Sequence, residues 1–183
     1  MHEMTIETGS KMTKPQATEV TNVLLQAGKV ISNPQTKITD FFKWSIISFI
    51  CCGTAAVMFT VMIIQGNGDF LSYVCVIVSV LALLAGLFMF RVASRMRRTY
   101  MRGDRKVTIV LDDDGVDYDN HFDKKLKIGW NGFKFIREMK ECLYMFPNDM
   151  TGIIIIVNRE HTDGVAQFLR EHNIDKQFIR NDK

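Results

Sequence analysis

Residues Trp44–Ile64, WSIISFICCGTAAVMFTVMII, decide the architecture: 21 consecutive positions carry no charged side chain. A helix rises about 1.5 Å per residue, so this run spans about 31 Å and matches a hydrocarbon core of ~30 Å. A second run of the same length, Phe70–Phe90, FLSYVCVIVSVLALLAGLFMF, is uncharged as well. Between them stand the turn formers Gln65-Gly66-Asn67-Gly68-Asp69, and so short a connection makes the two helices antiparallel neighbours. The expected fold class is therefore an α+β membrane protein. Its transmembrane helix hairpin covers 43–92, and the lipid bilayer is its first partner.

Charge orients the hairpin. The connecting loop holds one acid and no base, whereas Lys29, Lys37 and Lys43 precede the first run. An Arg-rich block follows the second, with Arg91, Arg95, Arg97, Arg98, Arg102, Arg105 and Lys106 against Asp104 alone. The positive-inside rule puts both termini in the cytoplasm and the loop outside, with Trp44 and Tyr73 at the interfaces. The arginines serve as a topology determinant, as a contact for anionic lipid, or as both. The overall net charge, +3, is too small to indicate nucleic-acid binding.

Small residues favour close helix packing in lipid. Ser48, Cys52, Ala56 and Thr60 follow one another at spacings of four, and Cys75, Ser79, Ala82 and Gly86 at four, three and four. These two stripes are expected to face each other; use of one of them for homo-oligomer formation is the alternative. Neither span contains an ionisable group other than cysteine and tyrosine, which argues against a transport pathway within this chain.

Outside the hairpin the pattern is that of soluble structure. In the leader, 1–42, Met4–Thr8 alternates as a short strand. A helix then starts with Thr13 as N-cap and Pro15 in its first turn. Ala17, Val20, Leu24, Ala27 and Ile31 form its apolar stripe, and Asn33-Pro34 stops it. That stripe covers either the membrane surface or the C-terminal domain. From 104 to 183 strands are expected at Lys106–Leu111, Val116–Phe122, Lys125–Trp130, Phe133–Met139, Cys142–Phe146 and Gly152–Val157. A helix from about Thr162 to His172 follows, capped by Thr162 or Asp163. The strands should make a small antiparallel sheet or partial barrel capped by that C-terminal helix, with the leader strand near Ile6 at an edge.

The order of hairpin, basic stretch, strand, Asp-Gly turn and further strands resembles the YcxB-like membrane protein family. The residues that carry the resemblance are Val107–Leu111, Asp114-Gly115-Val116, Ile128 with Trp130, Leu143-Tyr144-Met145-Phe146 and Ile153–Arg159 before the final helix. Two places depart from the family pattern: Val157-Asn158-Arg159, where a proline and a Lys-Arg pair are usual, and Asn131-Gly132-Phe133, where an acid and an isoleucine are typical. The resemblance implies a bacterial inner-membrane protein whose cytoplasmic domain is similar to pleckstrin-homology-like domains. It brings no enzymatic activity with it.

No constellation for catalysis, metal or cofactor stands out. Asp112-Asp113-Asp114, with Asp117 and Asp119, lacks the register of a calcium loop and reads as a solvated turn. His2, His121, His161 and His172 have no ligand spacing, and the four cysteines read as small apolar residues. The expected function is accordingly non-enzymatic. An anchored binding or scaffold protein would present its β domain, around a partner face at Trp130, to a protein or lipid. The alternative is an immunity protein that intercepts a membrane-acting toxin.

Overall fold

The computed structural model describes residues 3–8, 11–103, 107–119, 125–148, 152–174 and 177–179. In chain order the elements are β1 (Met4–Thr8), α1 (Lys14–Leu25), α2 (Ala27–Ser32), α3 (Phe41–Ile64) and α4 (Phe70–Arg102). Then come β2 (Val107–Leu111), β3 (Gly115–Asp119), β4 (Lys125–Gly129), β5 (Phe133–Glu138), β6 (Cys142–Pro147), β7 (Ile155–Asn158), α5 (Thr162–Glu171) and β8 (Phe178–Ile179). The chain is α+β, with two long apolar helices, small antiparallel sheets and a helix near the C-terminal end. It divides into two units: Met1–Ile38 with Arg97–Lys183, and Thr39–Met96.

The first unit is built on two four-stranded sheets. Sheet A has the order β1-β2-β3-β4, antiparallel throughout, with Met4 opposite Leu111 and Val116 opposite Ile128. The leader strand is thus an edge of this sheet, as expected. Sheet B has the order β7-β6-β5-β8, and its short β8 runs parallel to β5. Ile6, Ile109, Leu111 and Val116 from sheet A close on Ile136, Leu143, Met145, Ile155 and Val157 from sheet B. Val165, Phe168 and Leu169 of α5 complete that core.

β6 explains why there are three layers. Its sequence, CLYMFP, does not alternate, and every residue of it is buried. A strand of that kind needs cover on both faces. Leu143 and Met145 face the core shared with sheet A, while Cys142, Tyr144 and Phe146 face the leader. There Val20, Val23, Val30 and Ile31 pack on them and on Phe135 and Met139. The leader's apolar side is therefore spent on the C-terminal domain. Each of its fully buried aliphatic side chains stabilises the contact by roughly 1.5–3 kcal/mol.

The leader helix is not continuous. Gln26 leaves helical geometry at φ −112° and ψ 12°, between α1 and α2. Gly28, two residues on, weakens helix continuation there. Val23 and Val30 both reach sheet B, and Leu24 packs beside them, so the apolar face continues across the break. At its N-terminal end, Gln16 Oε1 accepts from the Thr13 nitrogen and closes the expected cap. Met12 N donates to the Tyr100 oxygen at 3.3 Å, and Gly103, at φ +71°, ends α4 where a side chain would meet the Lys11 backbone.

The second unit holds α3 and the apolar part of α4, joined at 65–69. Asp40 caps α3 by accepting from the Phe42 and Lys43 nitrogens. α4 starts on Asp69, whose carboxylate accepts from the Ser72 nitrogen and hydroxyl.

Candidate functional site

Two surfaces stand out, one in each unit. In the second, the exposed large apolar side chains of the described residues fall between Trp44 and Met89, among them Phe88 at 67% and Trp44 at 59% exposure. Hydroxyls on this surface are satisfied within their own helix: Thr54 Oγ1 donates to the Ile50 oxygen at 2.8 Å and Thr60 Oγ1 to that of Ala56 at 2.7 Å. Such pairing removes the cost of an unbonded polar group in an apolar medium.

The line along which the helices meet coincides only in part with the two small-residue stripes. Cys52, Ala56, Cys75, Ser79 and Gly86 are partly buried, whereas Ser48, Thr60 and Ala82 are exposed. A step of four residues turns a helix about 40° past a full turn, so three such steps carry Ser48 and Thr60 to opposite flanks. The line that stays inward uses steps of three and four: Phe42, Ser45, Phe49, Cys52, Ala56, Phe59 and Ile63. On α4 every seventh residue of the inward line is small, namely Ser72, Ser79, Gly86 and Ala93. A side chain at Gly86 would begin 3.6 Å from the Phe49 ring, and Phe90 stands edge-on to Phe42 and Phe49 at 5.8 and 6.4 Å. Rings, rather than close backbone approach, fill the space between the helices.

The arginines of α4 are sorted by the same geometry. Arg91, Arg95, Arg98 and Arg102 are spaced four, three and four apart, which puts them on one helix face. That face lies about half a turn from the Phe90–Ala93 line. Arg97 is off the row and partly buried. Arg105 and Lys106 lie outside the described residues.

Trp130 faces inward, which removes it as a partner face. It is 8% exposed, packs near Phe133 and gives its indole hydrogen to the Asp112 oxygen at 3.0 Å. The sequence signal of a lone tryptophan between two strands does not say which side it occupies; the bond to Asp112 decides it. The acidic run is committed locally. Asp112 Oδ1 accepts from the Asp114 and Gly115 nitrogens, and Lys127 reaches Asp112 Oδ2 at 2.9 Å. That bond from Lys127 holds the Asp112 carboxyl below its ordinary range. Lys125 pairs with Asp119 at 3.3 Å, and His172 bridges Asp113 and α5. His161 lies 3.5 Å from Glu160; His2 and His121 are outside the described residues. The expected cap of α5 is not used: the chain enters through a tight turn at Arg159–His161, with His161 in the cap position and no side-chain bond.

The second surface is the seam between leader and sheet B, whose polar residues carry no motif in the sequence. Glu19 accepts from the Glu141 nitrogen at 2.9 Å, the Cys142 nitrogen at 3.0 Å and the Tyr144 hydroxyl at 3.2 Å. Burial outweighs these bonds and pushes its carboxyl up. At the other end Lys134 Nζ donates to the Ile31 oxygen and Arg137 Nη1 to the Thr36 oxygen, each at 2.8 Å. Arg137 is 5% exposed, its Nε has no partner, and burial pushes its guanidinium down. The signal of this seam in the sequence is that charged residues, Lys134, Arg137 and Glu138, interrupt the apolar run of β5.

No protein-family model and no curated protein matches this chain.

Chemically, the seam is a packing and hydrogen-bonding device. Burial pushes the Cys142 thiol up to about 12, so it stays protonated, and a protonated thiol is a poor nucleophile. The outer face of sheet A is more open. Thr108, Val110, Asp117, Asp119, Lys125 and Lys127 line a shallow cavity of about 470 Å³ there.

Proposed function

We propose that this chain is a non-enzymatic, membrane-anchored binding or scaffold protein, with α3 and the apolar part of α4 crossing the bilayer as a hairpin. The observation that carries this reading is that, among the described residues, the exposed large apolar side chains fall within Trp44–Met89. In water that surface would be an aggregation site; in lipid it is solvated. The basic residues flanking the pair of helices and the single acid at the loop favour a plasma-membrane topology with both termini cytoplasmic. The arginine row Arg91, Arg95, Arg98 and Arg102 then sits where anionic headgroups lie, each worth on the order of 1 kcal/mol.

The cytoplasmic unit is the part that recognises a partner. The YcxB-like and pleckstrin-homology-like reading of this part rests on the sequence motifs Val107–Leu111 and Leu143–Phe146. With Trp130 turned inward, the outer face of sheet A, with its alternating Asp and Lys side chains, is the surface offered.

Alkaline extraction and a reporter fused at Asn67 test the anchor. The chain should stay with the membrane pellet, and the reporter should be active only if it works outside the cytoplasm. Release into the supernatant, or activity of a cytoplasm-only reporter at that position, would end this reading. Crosslinking from native membranes should then capture a partner that is lost when Asp117 and Lys127 are both changed to alanine.

A further inference from the structure

β1 and β4 are the two sides of sheet A. β1 approaches β7 of sheet B, whereas the neighbour of β4 besides β3 is the turn Trp130–Gly132. The direction of the main-chain bonds along β4 follows from two of them. Asp112 N donates to the Gly115 oxygen at 3.0 Å, and Trp130 N to the Asp114 oxygen at 3.2 Å. Bonded and non-bonded residue pairs alternate in an antiparallel ladder. Asp114, Val116 and Tyr118 therefore bond towards Trp130, Ile128 and Leu126. The N–H and C=O groups of Lys125, Lys127 and Gly129 point the other way, out of the edge. Among the described residues no turn or loop main-chain group bonds to them.

The outer face beside this edge carries its charges in columns. Asp117 and Asp119 of β3 stand opposite Lys127 and Lys125 of β4. Lys125 reaches Asp119 at 3.3 Å with 85% of its side chain exposed, and Lys127 reaches Asp112 at 2.9 Å with 53% exposed. Between the lysines, Leu126 and Ile128 are only partly buried. A second copy of β4 is a poor occupant, because centred pairing sets Lys127 opposite its own equivalent and like charges repel.

We propose that the β4 edge takes up an extended segment of a partner protein as a further strand of sheet A, antiparallel to Lys125–Gly129, with acidic side chains opposite Lys125 and Lys127 and apolar ones between. The proposal rests on the reading that the β unit recognises a partner, and it names the kind of partner. The unspent main-chain groups of Lys125, Lys127 and Gly129 supply the ladder. The acids continue the column order acid, base, acid, so that each lysine lies between carboxylates. The intervening apolar side chains fall on the inner face and extend the cover of Leu126 and Ile128. Gly129 offers a probe of this edge. Its φ of −60° and ψ of 153° suit proline, and its nitrogen faces outward. Gly129→Pro therefore removes one outward donor and leaves the bonds to β3 in place.

Fluorescence anisotropy on the full chain in phosphatidylcholine nanodiscs tests it, with the labelled peptide Thr-Val-Glu-Val-Glu-Val-Thr as the probe. The peptide should bind saturably, and the same peptide with lysine in place of glutamate should bind about tenfold more weakly or not at all. Gly129→Pro should weaken the glutamate peptide about tenfold while the melting curve of the chain stays in place. Changing Lys125 and Lys127 together to glutamate should reverse the preference between the two peptides. No saturable binding, equal binding of the two peptides, or unchanged affinity in a folded G129P chain would overturn the edge. Should a variant fail to fold, the comparison of the two peptides on the native chain still decides. A partner crosslinked from native membranes that is lost when Asp117 and Lys127 become alanine, yet kept in G129P, would overturn the edge and leave the β unit as the recognising part.

Discussion

The indole Nε1 of Trp130 donates to the main-chain oxygen of Asp112 across 3.0 Å, tying the link between β4 and β5 to the turn between β2 and β3. Trp130→Phe keeps most of the apolar contact with Phe133 but leaves that oxygen without its donor. Losing the bond should lower the stability of the β unit by about 1–3 kcal/mol, read as a shift in urea midpoint by circular dichroism. Unchanged stability would mean that water replaces the indole at no cost.

Gly115 is demanded by a close approach rather than by its turn. Its φ is not positive, but a side chain there would collide with the main-chain oxygen of Ile128 on β4. Gly115→Ala must push β3 and β4 apart and should cost about 2–4 kcal/mol, more than Gly129→Ala, where the nearest atom is 3.5 Å away. Comparing the two melting curves checks the order.

Two carboxyls of the β unit respond to acid with opposite sign. Glu19 is raised by burial, so its contribution is full at low pH and is lost as pH rises through its folded value. Asp112 is lowered, chiefly by the bond from Lys127, so its contribution holds above about pH 4 and is lost as pH falls through its folded value. The melting temperature of the unit should therefore peak on the acid side of neutrality. E19Q should flatten the alkaline limb and Asp112→Asn the acid one. A native maximum above pH 7 would contradict both assignments.

In the hairpin, Phe49 lies over Gly86 and edge-on to Phe90. Gly86→Ala adds a methyl at ordinary contact distance and should leave the thermal aggregation midpoint in detergent nearly unchanged. Phe49→Ala empties the space and should destabilise by roughly 1–3 kcal/mol. Equal effects would show that the rings are not what joins the helices.

The long elements were legible because their signals are long. Twenty-one uncharged residues in a row make a long apolar helix, and β2, with Ile109 and Leu111 inward, alternates as a half-exposed sheet should. What was not legible depends on partners distant in sequence. Trp130 reads the same whether it points in or out. Glu19 looks like an ordinary surface acid until Cys142 and Tyr144, more than a hundred residues away, are brought to it. Phe178–Ile179, two residues long, carries no periodicity at all. The stripe Ser48–Thr60 kept the right residues in its middle and lost its ends to the drift of a four-residue step.

Pairing of Met4 with Leu111 gives the chain an order of assembly. β1 is translated first, yet its partner β2 follows both apolar helices. At roughly 5–20 residues per second, β1 waits about 5–20 s for that partner. Through that interval the apolar side of the leader has no sheet to cover, and both apolar helices are complete before the β unit can close. A chain halted after α4 would hold both apolar helices complete beside an unmatched strand and an uncovered amphipathic helix.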